Sequence, residues 1–380
     1  MYRFIQCTLG HLLLISAICT SPYTFAADNL VVISLDGVRW QETFRGADPQ
    51  LIKHKEYVRD SEKLVAAFSR ETMEESRQVL MPFISHTIEA NGALIGNRDN
   101  HGDMQVSNTW WFSYPGYNEI LTGKADPKIN SNKLGPNPNI TFLEWLNGQH
   151  EFAGKVAAFG SWDAFDNIVN EQRAGIVVNS GFDHGTHQPQ DEQLQQLNAM
   201  IDELPKHWHN VRFDALTYGI AKHYITHQKP RVVYIALGET DDFAHDGRYD
   251  QYLHAAQRSD AFIQDLWQTL QSTEQYRNNT NLVITVDHGR GSNPDDWKHH
   301  ASPKATSGYL DYLKEFKDGI VGSNHIWLAA IGPDIKARGQ LKNDKPLYQN
   351  QIAATALMLL GQDYKQFNAE AGQPLMMLVE

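Results

Sequence analysis

Three apolar runs constrain this 380-residue chain more than any other feature. Residues 30–35 end at Asp36, residues 231–237 lead to Asp241, and residues 282–286 end at Asp287. Each run is rich in β-branched side chains and lacks polar alternation. Such runs suit strands covered on both faces, which is the condition of strands in a parallel sheet. Weaker runs at 156–159 and 176–178, and a good one at 326–331, extend the set. Helical spacing lies between them. Leu80, Phe83, Ile84, Thr87 and Ile88 share one face and stop at Gly92; Tyr252, Ala255, Ala256, Ser259, Ile263, Leu266 and Leu270 mark a longer amphipathic helix. Alternating strands and helices predict an α/β fold, doubly wound, with a mostly parallel central sheet and helices on both faces. Ligands bind such sheets at the carboxyl ends of the strands, where three acidic residues fall.

The first 26 residues follow a different pattern. Arg3 is their only charge, residues 9–19 are apolar, and Thr24-Phe25-Ala26 has the form of a small-residue cleavage site. This reads as a secretory signal peptide cut after Ala26, because a bilayer span needs about 20 apolar residues and this run is shorter. The expected product is periplasmic or secreted, with no membrane span once the signal is removed. Both cysteines, Cys7 and Cys19, lie in the leader. The mature chain would have no disulfide and would rely on its core, or on bound metal, for stability. A formal charge of −12 argues against a nucleic-acid-binding surface, which needs a basic face. The sequence does not specify an oligomeric state.

Carboxylates and imidazoles gather near the strand ends. Asp241 and His245 stand one helical turn apart, so both can face one ion. Asp287 and His288 directly follow a strand and precede Gly289; Asp36 follows a strand and precedes Gly37; His325 directly precedes the run at 326–331. Mixed carboxylate and imidazole ligands suit zinc or a similar divalent ion. Singly, each group also fits a turn, a helix cap or a solvated pair. Ser113 stands before Pro115 at an expected helix N-terminus, where free N–H groups favour an anion such as phosphate, and it also fits an ordinary N-cap. Residues 126–138 and 291–323 read as long loops.

The order Asp36, Ser113-Tyr114-Pro115, Thr122-Gly123, Asp241 with His245, Asp287-His288-Gly289 and His325 resembles the alkaline phosphatase superfamily, and most closely its type I phosphodiesterase/nucleotide pyrophosphatase branch. The resemblance covers about Leu30 to Pro333 and makes residues 27–380 one metallohydrolase domain. It implies two divalent metal ions, zinc being the usual one: Asp36, Asp287 and His288 would hold one, together with the Ser113 oxygen, and Asp241, His245 and His325 the other. It also implies attack by Ser113 on phosphorus, a phosphoserine, and hydrolysis of that phosphoserine, with a small phosphate ester as substrate. His299 and His300 are alternatives for the last ligand.

Departures from the superfamily's patterns narrow the class. Sulfatases of this fold have Arg four residues after the nucleophile position, where this chain has Tyr117. One group of monoesterases has Lys and Arg where Trp162 and Ala164 stand, flanking Asp163. Without those cations a singly charged diester is the expected substrate, unless Arg290 or a nearby Lys substitutes. A broad phosphomonoesterase and a metal-dependent phosphomutase or phosphotransferase are the alternatives. Asn132 is the expected stabiliser of the phosphoryl oxygens, with Asn130 as the other choice. Trp110, Trp111, Tyr114, Tyr117, Trp162 and Phe165 form either an aromatic slot or core packing.

Overall fold

The computed structural model of the chain describes residues 27–133 and 135–380; the expected signal peptide, residues 1–26, lies outside the described residues. Among the described residues there are ten strands: β1 (Asn29–Leu35), β2 (Ala93–Ile95), β3 (Met104–Gln105), β4 (Val156–Gly160), β5 (Val177–Ser180), β6 (Val232–Leu237), β7 (Thr280–Thr285), β8 (Leu328–Ile331), β9 (Gly339–Gln340) and β10 (Leu347–Tyr348). Eight of them form one sheet in the order β5-β4-β6-β1-β7-β8-β2-β9, while β3 and β10 pair separately. All pairings in the large sheet are parallel except those on either side of β8, so β8 alone runs in reverse. The run at 326–331 is thus a strand, but an antiparallel one.

Every residue of β1, β6 and β7 is buried. Successive side chains point to opposite faces, so complete burial means that both faces of these three adjacent strands are covered. Helices surround the sheet. Asp214–Gln228 packs on β6 and β4, and Tyr249–Ser272 packs on Glu239–His245. In the long helix Tyr252, Ala256, Ser259, Ile263, Leu266 and Leu270 are buried at three- and four-residue spacing. The helical signal before Gly92 resolves into Met73–Leu80, wider π-helical turns over Phe83–Ile88 and a last turn at Glu89–Asn91.

The order β6-β1-β7 decides where the chemistry sits. Asp36 follows β1, Asp241 lies four residues past β6, and Asp287 and His288 follow β7. Three neighbouring parallel strands therefore deliver their carboxylates to one edge.

Candidate active site

Ser113 opens the helix Ser113–Thr122, with Pro115 in its first turn and Gly123 closing it at φ 74. The approach to the helix is held from inside. The buried Glu119 carboxylate accepts the Ser107 and Asn108 backbone N–H groups and the Asn108 side-chain amide at 2.8–2.9 Å. Asn108 Oδ1 in turn accepts the N–H groups of Trp110 and Trp111 at 3.0 and 2.9 Å. This fixes Trp111 at φ 58, a left-handed backbone that a tryptophan adopts only when its surroundings enforce it. Gly116 lets the helix settle on the end of β7, because a Cβ there would lie 2.2 Å from the Asp287 carbonyl oxygen.

His288 is the hub. Its Nδ1 faces the Gly289 carbonyl at 2.8 Å and must donate to it, which leaves the Nε2 lone pair pointing the other way. That Nε2 lies 3.3 Å from each of Asp36 Oδ1, Asp287 Oδ2 and Ser113 Oγ, and 3.8 Å from Asp241 Oδ1. Asp36 Oδ1 and Asp287 Oδ2 are buried without a hydrogen-bond partner. The rest of each carboxylate is anchored: Tyr117 O–H donates to Asp36 Oδ2 at 2.9 Å, and the Gly37 N–H donates to Asp287 Oδ1 at 3.1 Å. Burial, followed by the neighbouring Asp36 charge, pushes the Asp287 carboxyl well up. Burial works to lower His288, but Asp287, Asp36 and Asp241 outweigh it and raise the imidazole to about 9, so its Nε2 lone pair readily takes a positive charge, a proton or a metal cation in its place. Buried carboxylates with unpartnered oxygens around one imidazole lone pair fit a divalent cation.

A second group adjoins the first. His245 Nε2 lies 3.2 Å from Asp241 Oδ2 and 3.0 Å from His300 Nε2, and His300 Nε2 lies 3.6 Å from Asp241 Oδ1. His300 Nδ1 faces the Trp111 carbonyl at 3.3 Å, so its Nε2 lone pair turns inward. Burial first, and then the neighbouring His288, hold His300 well below the usual imidazole range. Two imidazoles and a carboxylate converging in this way also fit a divalent ion. Gly37 leaves the room: at φ +62, a Cβ would meet Arg290 Nη1 at 2.7 Å, Asp241 Oδ1 at 2.9 Å and His288 Cε1 at 3.2 Å.

His325 is not brought into either group. It starts the return toward β8, its backbone bridges Gln105, and burial with Arg98 nearby lowers its imidazole to about 4. His300, one of the two alternatives from the insertion at 291–323, stands beside Asp241 and His245 instead. The insertion can reach the site because it is tied down by a small core of its own, in which Ala301, Ala305, Leu313 and Ile320 pack with Trp110 and Phe112. His299 packs toward Phe316.

Asn132 is well placed. Its Oδ1 accepts the Tyr114 N–H at 3.0 Å, leaving the amide NH2 group as a donor, and it lines the same cleft as Ser113. That cleft, about 170 Å3, is also bounded by Asp36, Trp162, Asn210, Asp241, Asp242 and His245. Among the described residues no lysine or arginine lines it. Arg290 does not supply the missing cation: its buried guanidinium is committed to Asp241 and to the Trp297 and Lys298 carbonyls. Of the six aromatics, Trp162 alone lines the cleft. Tyr114, Tyr117 and Phe165 are buried, and Phe165 packs against Tyr117 and Tyr234.

A family model described as type I phosphodiesterase / nucleotide pyrophosphatase matches residues 106–350. The chain belongs to that family. The matched span holds every residue of the two clusters except Asp36, which the fold adds from β1. Among curated proteins no match is found. Solved structures of the alkaline phosphatase superfamily share the fold. Alkaline phosphatase PafA aligns with a TM-score of 0.56 at 12% identity, over 94% of this chain and 100% of PafA. The phosphonate monoester hydrolase of Silicibacter pomeroyi gives 0.54 at 13%, over 93% and 76% of the two chains. The lipoteichoic acid synthase LtaP of Listeria monocytogenes gives 0.52 at 13%, over 89% and 73%. At these identities the likeness concerns fold alone. Members of the superfamily are hydrolases of phosphoric or sulfate esters.

Proposed function

We propose that this chain is an exported phosphodiester hydrolase that uses two divalent metal ions, zinc being the class its ligands suit, and transfers the phosphoryl group through Ser113. The observation that carries the reading is Ser113 Oγ at 3.3 Å from His288 Nε2, in the same hub as the unpartnered oxygens of Asp36 and Asp287. Asp36, Asp287 and His288 would hold the ion beside Ser113, and Asp241, His245 and His300 the other. Such a pair of ions, when bound, supplies positive charge to the attacking and leaving oxygens of an in-line displacement.

The chain's own groups do the rest. The Ser113 oxygen attacks phosphorus, its O–H proton passes to water, and the ester's leaving oxygen departs on the opposite side. The resulting phosphoserine keeps the diester's second ester group; water then cleaves its Ser113 bond, releases the monoester and restores the hydroxyl. The Asn132 amide NH2 group, held at the helix N-terminus by the bond from the Tyr114 N–H, is the donor for the phosphoryl oxygens. Tyr117 and Gly37 hold the two carboxylates of the hub.

Charge favours a diester. The cleft offers no lysine or arginine for the extra charge of a monoester dianion. The Asp242 carboxyl lines it with no hydrogen bond or ion pair to the described residues, and burial followed by Asp241, Asp36, Asp214 and Asp246 pushes that carboxyl well up, as expected where negative charge is in excess. Metal content measured beside turnover of a matched aryl diester, aryl monoester, phosphonate monoester and sulfate ester tests the reading. A metal-free preparation with full activity, or a monoester preference of tenfold or more, would refute it.

A further inference from the structure

A second convergence of imidazole and carboxylate lies away from Ser113, on the helix Asp214–Gln228. Asp214, at its start, supports the turn before Asp241 by accepting the Gly238 and Glu239 N–H groups. His223 lies nine residues farther on, about 13 Å along the helix axis. His223 and His227 are one turn apart with stacked rings, centroids 4.0 Å apart. Asp191, the N-cap of the helix Glu192–Glu203, places Oδ1 at 2.9 Å from His223 Nε2. One ligand atom from each of Asp191, His223 and His227 lies within 4.8 Å of the others.

Three details turn this cluster toward an ion. His227 Nδ1 is engaged by the His223 carbonyl at 2.8 Å, which leaves Nε2 as its coordinating atom, and no described residue partners that atom. His187 Nε2 sits 2.8 Å from His223 Nδ1, where it can hold that ring from behind as an outer partner does for a metal-binding histidine. His223 is buried, Asp191 half-buried and His227 exposed, so the cluster has a buried floor and an open side.

We propose that Asp191, His223 and His227 form a third metal site that takes a divalent transition ion of the zinc type, with His187 positioning the His223 ring. Loading is a tautomer exchange with no net proton release: His223 gives up the proton at Nε2 and takes one at Nδ1, which donates to His187 Nε2, while His187 carries its own proton on Nδ1. The ion ties the loop before Asp191 and the helix Glu192–Glu203 to the helix Asp214–Gln228, so its role is to hold structure rather than to touch substrate.

The test uses the whole protein, stripped by chelator and dialysed against zinc, with metal counted per chain. His227→Ala and Asp191→Asn should each bind one zinc fewer than wild type at unchanged diester turnover; asparagine keeps the helix cap. Both should lose part of the zinc-dependent rise in melting temperature. Asp287→Ala should retain this ion while losing metal beside Ser113, so the site is counted independently of the active centre. Wild-type zinc content and an undiminished thermal response in both His227→Ala and Asp191→Asn would overturn the proposal.

Discussion

Replacing Gly116 with alanine puts a methyl carbon 2.2 Å from the Asp287 carbonyl oxygen. An ordinary carbon–oxygen contact is about 3.3 Å, so the two elements must separate by about 1 Å. The oxygen is backbone at the end of β7, and the displaced element carries Ser113 three residues away. A misplacement of about 1 Å at a nucleophile can cost about a hundredfold in rate, or about 2.7 kcal/mol of barrier. Stability should change less. Overpacking costs about 1–3 kcal/mol, and exchanging a helical glycine for alanine returns up to about 1 kcal/mol. Gly116→Ala should therefore fold with a melting temperature lower by only a few degrees, yet lose about a hundredfold in kcat on a chromogenic diester. Metal content should be measured in the same sample, since Asp287 is the residue pressed upon. A variant with intact metal and kcat within threefold of wild type would show that the Ser113–His288 distance does not limit the reaction.

Other substitutions separate the remaining roles. Ser113→Ala should keep fold and metal but lose turnover by roughly a thousandfold or more, and acid quench with labelled diester should trap phosphate on wild-type Ser113 alone. His300→Ala should lower metal occupancy beside Asp241 whereas His325→Ala should not; the opposite result would return the last ligand to His325. Asp242→Asn, compared at alkaline pH where the raised carboxyl is ionised, removes a negative charge from the cleft and should shift kcat/KM toward the monoester by about tenfold, equal to about 1.4 kcal/mol; an unchanged ratio there would separate Asp242 from charge discrimination. Intact mass of the exported protein should place its first residue at Ala27; uncleaved protein retained in the cytosol would count against export.

The central strands were legible because burial on both faces leaves an unbroken apolar run, and the acidic residues were legible because they end those runs. Asp36, Asp241, His245, Asp287 and His288 could be grouped from strand ends alone. The direction of β8 was not legible, since a short buried run carries no mark of parallel or antiparallel pairing. Nor was β2, whose three residues are too few to show a period. The structure sets a different histidine beside Asp241 from the one the sequence order suggests, for a related reason. His325 lies close to its strand, but its backbone is drawn toward Gln105, while His300 sits in a loop whose path depends on Ser302 N bonding the Trp110 carbonyl and on the small core around Ala301. Long-range loop packing leaves no periodic trace; the adjacent histidines in the insertion were the only signal.

The place of β1 in the middle of the sheet also sets the order in which the molecule can be completed. Tyr234 O–H reaches Ser34 across 200 residues, and the Gly37 N–H reaches Asp287 across 250. The strand at the start of the described chain therefore waits for partners from its last half, a topology of high contact order that folds slowly and leaves strand edges open meanwhile. A chain ending before β7 would contain Ser113, its helix, Asp36 and Asp241, yet lack the Asp287 and His288 around which they gather. The carboxylate and imidazole at 287 and 288 are the last pieces of the hub to be made, so an ion bound there would report that β6, β1 and β7 have come together.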